Sequence, residues 1–227
     1  MNIKILQCEK GAEQAEGMTV IIDVFRAFTL EAYLYAAGME KIIAAASVED
    51  ALSLKKSDES YILFGERNGL KCIGFDYGNS PSAAAGTDFT GRTAVHTTSN
   101  GTRGIMKASG ASQIITGAFV NARAAAEYVR RCCPEKVSLV CMGWKERPSQ
   151  EDTLCAEYIK ALLENKDMSD IDRKLENLKY TSGAKFFDPL QQDAYPQADF
   201  PYCIQRDIFD FVIRCEKKGQ YIINKKI

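Results

Sequence analysis

The stretch MTVIIDVFRAFT, residues 18–29, sets the pattern for the fold. Its first seven residues form an apolar, β-branched run, which predicts a buried strand. Residues 28–37 continue with a helical pattern that stops at Gly38, a residue type that commonly ends helices. A buried strand followed directly by a helix is typical of the βα units that build parallel sheets.

The same alternation continues through the first two thirds of the chain. Further apolar runs predict strands at KIIAAA (41–46), YILF (61–64), RTAVHTT (92–98), SQIIT (112–116) and KVSLVCM (136–142). Helices are expected from Ser47 to Lys56, after Asn100, over NARAAAEYVRRC (121–132) and from Ser149 to Glu164. The sequence therefore predicts a three-layer α/β fold, with a largely parallel or mixed sheet flanked by helices.

The last third of the chain is less regular. Residues 165–200 combine a charged stretch that has a helical pattern with Asp-, Pro- and Gln-rich segments that are typical of loops. Peripheral packing is therefore expected there. The terminal segment PYCIQRDIFDFVIRCEKKGQYIINKKI has two β-like runs around Gly219, which predict antiparallel strands at the edge of the sheet. Since no repeat or interdomain linker is evident, residues 1–227 are interpreted as a single α/β domain.

Composition limits the classes of function. The chain is 46% hydrophobic and 26% charged, and its net charge of -1 provides no bulk attraction to nucleic acid or to an anionic membrane. The apolar stretch at the N-terminus is too short for a signal peptide, and no later run approaches a membrane span, so a cytoplasmic location is expected. The eight cysteines form no CxxC pair and lie mostly in apolar segments, which indicates packing residues.

Two pairs of an acidic residue and an arginine mark a candidate site. Asp23 ends a predicted strand and Arg26 follows it, where the carboxyl ends of parallel strands form the usual ligand crevice. Glu66 and Arg67 repeat the pairing within the glycine-rich stretch FGERNGLKCIGFDYGNSP. A carboxylate and a guanidinium suit a metal ion and a phosphate. The alternative is a helix-capping Asp23 with Arg26 as its salt-bridge partner.

Three further observations bear on this site. In the same stretch Asp76 adds an oxygen ligand of the type that Mg²⁺ prefers. Phe25 stands where an aspartyl-phosphate enzyme of the haloacid dehalogenase type needs a second aspartate, which disfavours that mechanism. The segment HTTSNGTRG (96–104) is a candidate phosphate cradle, but it lacks the P-loop lysine and the GxGxxG spacing. An ordinary capped turn explains it equally well.

The start of the helix near Ser149 is open to two interpretations. Ser149 and Asp152 resemble a capping box, whereas Glu151 and Asp152 at a helix start also suit a metal ligand or a general base. His96 is the only histidine, so it is interpreted as a hydrogen-bonded strand residue rather than a catalytic one. Trp144, just after a strand, is a candidate wall of the pocket or a packing residue.

In this order, IIDVFRAFT, GERNGLKCIGFDYGNSP, TTSNGT, GAFVNARA and SQEDTLCA resemble the 2-phosphosulfolactate phosphatase family of coenzyme M biosynthesis. The resemblance is strongest over residues 19–159 and resumes weakly at YCIQRDIFDFV. It implies an α/β, Mg²⁺-dependent phosphatase acting on phosphate esters of 2-hydroxy acids. The positions that match the family's motifs are Asp23, Arg26, Glu66, Arg67, Asp76, Asn79, Ser80, Asn100, Gly101, Thr102, Asn121, Glu151 and Asp152.

The chain departs from the family pattern at two places. WKERP (144–148) replaces the small, glycine-containing turn expected before the SQED segment, and His96 stands where an apolar residue is usual. The first departure is expected to reshape the pocket, so it bears on the identity of the substrate rather than on the reaction.

The resulting hypothesis is Mg²⁺-assisted hydrolysis of a small phosphomonoester, with 2-phosphosulfolactate or a related 2-hydroxy-acid phosphate as the substrate. Asp23, Glu66 and Asp152 are the expected metal ligands, and Arg26 and Arg67 are expected to bind the phosphoryl group. Backbone N–H groups at Asn100–Thr102 are expected to stabilise charge.

For the attacking group, Glu151 or Asp76 is expected to orient a water molecule, while a covalent Asp23 intermediate stays open. Asn79, Ser80 and Asn121 are expected to contact the substrate. The alternative function is a non-catalytic sensor of an anionic metabolite. The sequence does not determine the oligomeric state, and a homo-oligomer is one of the alternatives.

Overall fold

The computed structural model describes residues 1–219 and 221–227. The strands are β1 (Asn2–Gln7), β2 (Gly17–Ile22), β3 (Lys41–Ala44), β4 (Ile62–Arg67), β5 (Leu70–Lys71), β6 (Thr93–Thr97), β7 (Ala111–Gly117), β8 (Lys136–Cys141), β9 (Ile213–Lys218) and β10 (Tyr221–Lys226). The α-helices are α1 (Cys8–Glu13), α2 (Ala27–Ala36), α3 (Val48–Ser57), α4 (Pro81–Ala84), α5 (Gly101–Lys107), α6 (Ala122–Cys132), α7 (Gln150–Glu164), α8 (Ile171–Asn177) and α9 (Asp199–Ile204). Short 3₁₀ turns cover Phe119–Asn121, Leu178–Tyr180, Ala184–Phe187 and Pro189–Gln191.

The predicted α/β architecture is confirmed. One mixed sheet has the strand order β1-β8-β2-β7-β9-β10-β3-β6-β4-β5. The first four strands in this order are mutually parallel, and so are β3, β6 and β4. Each predicted strand and helix of residues 18–164 is present, because β-branched runs alternating with capped helical segments fit both faces of a covered parallel sheet. The strand β1 and the helix α1 were not predicted.

The two C-terminal strands are antiparallel as predicted, but their expected position at the edge of the sheet is wrong. The strand β9 pairs with β7, β10 pairs with β3, and the two strands pair with each other. They therefore join two parallel halves at the centre of the sheet, where Ile213 and Asn224 are fully buried. Both β7 and β3 would otherwise present an unpaired edge, and the hairpin satisfies both.

Alternating side chains of the strands form the layers above and below the sheet. In β2, Val20 and Ile22 pack with α6 and α7, whereas Ile21 packs on the opposite face with α1, α2 and α5. In β3, Ile42 joins that second face and Ile43 packs with α3. This alternation is the period-two pattern of a strand covered on both faces. None of the helices in the described residues is long and apolar enough to cross a membrane.

The cysteines largely match their interpretation as packing residues. Cys8, Cys72, Cys141, Cys155 and Cys203 are buried, but the adjacent pair Cys132 and Cys133 at the end of α6 is exposed, which the sequence did not predict. Burial raises the pKa of the Cys155 and Cys203 thiols well above the usual value. A thiol held neutral in this way is a poor nucleophile, so these two do not suit covalent catalysis.

Candidate active site

A polar pocket lies at the carboxyl ends of the parallel strands. Asp23 follows β2, Glu66 is near the end of β4, Ser99 and Asn100 follow β6, and Gly143 follows β8. The residues that line the pocket are Asp23, Phe25, Arg26, Glu66, Gly69, Asn79, Ser99, Asn100, Gly143, Trp144, Glu151, Asp152, Lys185 and Tyr195. Its cavity of about 30 Å³ has room for only a few water molecules or a group of similar size.

Asp23 is held at the end of β2 by the start of α2. Its Oδ1 accepts a hydrogen bond from the Ala27 N–H at 3.3 Å. Burial, with added repulsion from the Glu66 and Glu151 carboxylates, raises the pKa of Asp23 to about 7, although the Ala27 N–H and the nearby Lys185 ammonium oppose this rise. The side chain is therefore a carboxyl group whose charge changes near neutral pH.

Glu66 joins two loops of the pocket. Its Oε2 accepts from the Gly69 N–H at 2.7 Å, and its Oε1 accepts from the Ser99 N–H at 2.8 Å. Gly69 has a φ of 85°, in the left-handed region that favours glycine. The carboxylate thus fixes the β4–β5 turn and the loop after β6 around the cavity.

Asp152 has a similar connecting role at the start of α7. Its Oδ1 accepts from the Val24 N–H at 2.8 Å, and its Oδ2 accepts from the Gly143 N–H at 2.8 Å. Its own N–H donates to Ser149 Oγ at 3.4 Å, so the predicted cap is present. Burial, and then the charges of Glu151 and Asp23, raise the pKa of Asp152 well above its usual value.

Glu151 is the unsatisfied acid of the pocket. Its side chain is 4% exposed, and its buried Oε2 has no hydrogen-bond partner among the described residues. A buried carboxylate oxygen without a partner carries a large desolvation cost, so such an atom marks a position for a bound cation or water.

The donor set fits a hydrated magnesium ion better than a fully protein-enclosed metal. In the described part of the chain, no three His, Cys, Asp or Glu side chains are grouped closely enough to hold a metal ion alone. Mg²⁺ is usually held by one or two carboxylates and keeps several waters. Glu66 and Asp152 use both oxygens on backbone N–H groups. Of the four carboxylates, Asp23 and Glu151 keep a side-chain oxygen that no backbone N–H of the described residues occupies, whereas the predicted ligands Glu66 and Asp152 do not.

Arg26 lines the pocket, but it does not form the salt bridge with Asp23 that was the alternative interpretation. It is 3% exposed and forms its ion pair with Asp199 rather than with Asp23. Its Nη2 donates to the Ala194 carbonyl at 2.6 Å and to the Gly69 carbonyl at 3.3 Å. The guanidinium lines the pocket, but its charge is already neutralised and its donors are largely used. It holds residues 194–199 against the active site.

Several other predicted site residues lie outside the pocket lining. Arg67 donates to the Glu66 carbonyl at 2.7 Å and to Thr97 Oγ1 at 3.1 Å. The Oδ2 of Asp76 accepts from the Leu63 N–H at 2.8 Å near the other end of β4. Asn121 closes a local turn by accepting from the Ala118 N–H at 3.1 Å. None of the three contributes to the pocket lining.

The remaining predicted residues lie in or beside the pocket: Asn79 and Asn100 are part of its lining, and several polar groups of the others have protein partners. Ser80 caps α4 and donates to Asp199 Oδ1 at 2.7 Å. In the predicted cradle, the Thr102 N–H donates to Thr98 Oγ1 at 3.2 Å, and Asn100 Nδ2 donates to the Gly143 carbonyl at 2.8 Å. A Cβ at Gly101 would lie 3.1 Å from Asp23 Oδ2, so glycine here keeps that oxygen accessible.

His96 is a hydrogen-bonded strand residue, as predicted. It is fully buried, with Nδ1 2.9 Å from Glu31 Oε1 and Nε2 2.7 Å from Oδ1 of Asn79, which lines the pocket. Asn224 Nδ2 completes the group with contacts of 3.1 and 3.0 Å to the two Glu31 oxygens.

We expect His96→Phe to lower the free energy of unfolding by about 1–3 kcal/mol, because Glu31 and Asn79 each lose a buried partner. Urea unfolding measures the change, with Thr93→Val at the start of the same strand as the control. An unchanged urea midpoint for His96→Phe would show that the hydrogen bonds of His96 to Glu31 and Asn79 contribute no stability.

Residues 165–200 were expected to pack at the periphery, and that interpretation is wrong. This segment supplies Lys185 and Tyr195 to the pocket lining and the buried carboxylate Asp199 to Arg26. The Lys185 Nζ lies 4.9 Å from the centre of the Tyr195 ring. Sequence reasoning missed these residues because the segment forms short turns without periodicity, and a long-range partner leaves no local signal.

The chain is similar over most of its length to proteins of one described family. The model of the family described as 2-phosphosulpholactate phosphatase matches residues 5–218. A Bacillus subtilis (strain 168) protein named "Probable 2-phosphosulfolactate phosphatase" is 29% identical over 97% of this chain and 96% of its own. A protein of the same name from Caldicellulosiruptor saccharolyticus is 35% identical over 88% of this chain and 89% of its own. A third protein of this name, from Carboxydothermus hydrogenoformans, is 39% identical over 72% of this chain and 68% of its own length.

Proposed function

Because the chain belongs to the 2-phosphosulpholactate phosphatase family, we propose that it hydrolyses 2-phosphosulfolactate, or a related 2-hydroxy-acid phosphate, with the aid of Mg²⁺. The observation that carries the proposal is the buried, unpartnered Glu151 Oε2 in a pocket shared with Asp23, Glu66 and Asp152. A pocket with four carboxylates repels a phosphate dianion unless a cation lies between them. The same repulsion argues against a sensor that binds the anion without a metal ion.

We assign Asp23 and Glu151 as the residues that would hold the cation. When bound, Mg²⁺ would neutralise the phosphoryl oxygens and act as a Lewis acid toward them. Glu66 and Asp152 position the surrounding backbone, because their oxygens bind the N–H groups of Gly69, Ser99, Val24 and Gly143.

Lys185 is proposed to bind the phosphoryl group in place of Arg26 and Arg67. It lines the pocket and forms no ion pair with a carboxylate in residues 1–219 and 221–227. Arg26 is instead a positioning residue, because Asp199 neutralises it. Attack by water is proposed over attack by a cysteine or a histidine, since the buried cysteines are held neutral and His96 is enclosed by Glu31 and Asn79.

The function is tested by phosphate release from 2-phosphosulfolactate, 2-phospholactate and unrelated phosphomonoesters, with Mg²⁺ or with EDTA. We expect turnover of the 2-hydroxy-acid phosphates, its loss in EDTA and its return when Mg²⁺ is in excess. Full activity in EDTA would disprove the metal-assisted scheme. Absence of phosphate release from the whole panel would disprove the proposed reaction.

We expect Glu151→Gln to weaken Mg²⁺ binding by about 10–100-fold, because the substitution removes a charged oxygen from the site. Trp144 is the only tryptophan and lines the pocket, so its fluorescence reports binding. Glu157→Gln, on the exposed face of the same helix, is the matched control. Equal Mg²⁺ affinity in the wild type and Glu151→Gln would remove Glu151 from the ligand set.

A further inference from the structure

A second, larger cavity adjoins the active-site pocket. It has a volume of about 750 Å³ and is here called the outer cavity, and the pocket, at about 30 Å³, is called the inner cavity. Trp144, Glu151 and Lys185 line both, so the two are neighbours along one wall. The inner cavity is too small to enclose a whole phosphomonoester. The outer cavity is the adjoining space that could take the part of the substrate that does not fit.

The outer cavity has an excess of positive charge. Lys145, Arg147 and Lys185 line it, and Glu151 is the carboxylate in its lining. In the part of the chain that the structure describes, none of these three cations forms an ion pair with a carboxylate. Lys145 instead lies over the Trp144 ring, with Nζ 4.4 Å from the ring centre. Cations that lack protein counter-ions beside an anion-processing site are suited to an anionic ligand.

The turn that carries Lys145 and Arg147 is closed by its own backbone hydrogen bonds. Trp144 and Arg147 exchange backbone hydrogen bonds of 2.9 and 3.1 Å, and between them Lys145 and Glu146 have φ values of 50° and 58°. This is a tight two-residue turn of the type found in β-hairpins. Before it, the Gly143 N–H is bound by Asp152, and after it Ser149 caps α7. The turn is therefore fixed to the active site at both ends.

We infer that the outer cavity binds the non-reacting part of the substrate, and that Lys145 and Arg147 select phosphomonoesters whose alcohol carries a further anionic group. This inference rests on the proposed function and assigns its specificity to the WKERP turn. A carboxylate or sulfonate held there would gain charge-assisted hydrogen bonds that a neutral alcohol cannot form. The predicted specificity is thus for the phosphates of hydroxy acids over those of neutral alcohols of the same size.

The test compares 2-phospholactate with isopropyl phosphate, in which a methyl group replaces the carboxylate. In Lys145→Gln/Arg147→Gln we expect the KM for 2-phospholactate to rise roughly three- to thirtyfold with little change in kcat, because exposed charge pairs contribute modest binding energy. The KM for isopropyl phosphate should not change. The matched control is Lys160→Gln/Arg173→Gln, two cationic positions outside both cavities, and thermal unfolding verifies that each variant is folded.

The outcomes separate this inference from the proposed function. An unchanged KM for 2-phospholactate in the double variant would overturn the role of the outer cavity even if hydrolysis proceeds. An equal rise for both substrates would also overturn it, because the effect would then not depend on the second charge. If the wild type hydrolyses neither ester, the proposed reaction fails. Binding of 2-phospholactate measured by Trp144 fluorescence then decides the inference: weaker binding in the double variant supports it, and equal binding overturns it.

Discussion

Asp23→Asn is expected to lower kcat/KM by about 10²–10⁴-fold, the range of a lost general acid–base or charged active-site group. At the same time it is expected to raise the thermal stability of the protein at pH 8. A combined loss of activity and gain of stability distinguishes a functional carboxylate from a structural one, because a structural carboxylate stabilises the folded state when ionised.

The sign of the stability effect follows from the raised pKa of Asp23. Burial raises this pKa to about 7 in the folded protein, from an ordinary value of 3.8. Between these values the unfolded chain releases the proton while the folded chain keeps it, so stability decreases as the pH rises from about 4 to about 7. Above pH 7 the folded protein bears the full cost of a buried charge on Asp23, which lowers the free energy of unfolding by on the order of 1–4 kcal/mol. Asparagine carries no charge at any pH and avoids that cost.

Thermal unfolding in EDTA at pH 8 and pH 4 measures this effect, with the exposed Asp167→Asn as the control. The gain in Tm should be present at pH 8 and should be much smaller at pH 4, where the folded protein keeps the proton and the unfolded chain is close to half-protonated. Saturating Mg²⁺ should stabilise the wild type more than the variant, because the cation binds the ionised carboxylate. A variant that loses stability at pH 8 would show that Asp23 acts as an ordinary structural ion.

The positions of the four acidic residues that line the pocket could be predicted because they depend on local pattern and topology. A β-branched run followed by a helix places Asp23 at the carboxyl end of a strand, and the same rule brings Glu66 to the same edge. Glu151 and Asp152 follow from the cap at Ser149. The central position of β9 and β10 could not be predicted, because strand order depends on which edges remain unpaired after the rest of the sheet has formed.

The partner of Arg26 could not be predicted for a related reason. Asp23 is three residues away and is the obvious candidate in sequence, whereas the actual partner Asp199 is 173 residues away. Its segment has no periodic pattern to indicate burial. The ion pair therefore links the first βα unit to a stretch that the sequence presents as peripheral, and through that stretch it brings Lys185 and Tyr195 to the pocket.

Asp199→Ala is expected to lower the free energy of unfolding by about 3–5 kcal/mol, the cost of leaving a buried charge without its partner. The Asp199 side chain is fully buried, and Arg26 is 3% exposed. Besides the ion pair, Asp199 Oδ1 accepts from Ser80 Oγ at 2.7 Å, from the Ser82 N–H at 3.0 Å and from Ser82 Oγ at 2.5 Å. Removal of the carboxylate would leave these donors and the guanidinium unsatisfied.

The double variant Arg26→Met/Asp199→Leu separates the charge effect from the packing effect. Since apolar residues of similar volume often replace a buried ion pair at little cost, the double variant should be more stable than Asp199→Ala. Urea unfolding of the single and double variants measures the difference, with the exposed Asp193→Ala in the same segment as the control. A double variant as unstable as the single one would show that the hydrogen bonds from Ser80 and Ser82, and not the charge of Arg26, account for the loss.

Arg26→Lys then decides whether Arg26 positions the pocket or binds the substrate. Lysine keeps the charge for Asp199 but cannot also donate to the carbonyls of Ala194 and Gly69 in the geometry of a guanidinium. We therefore expect lower thermal stability and a kcat within a few-fold of the wild type in the folded fraction. If Arg26 contacts the phosphoryl oxygens in the transition state, kcat would instead fall by roughly 10²–10³-fold with stability retained. That result would return Arg26 to the phosphate-binding role that the sequence predicts and the ion pair with Asp199 opposes.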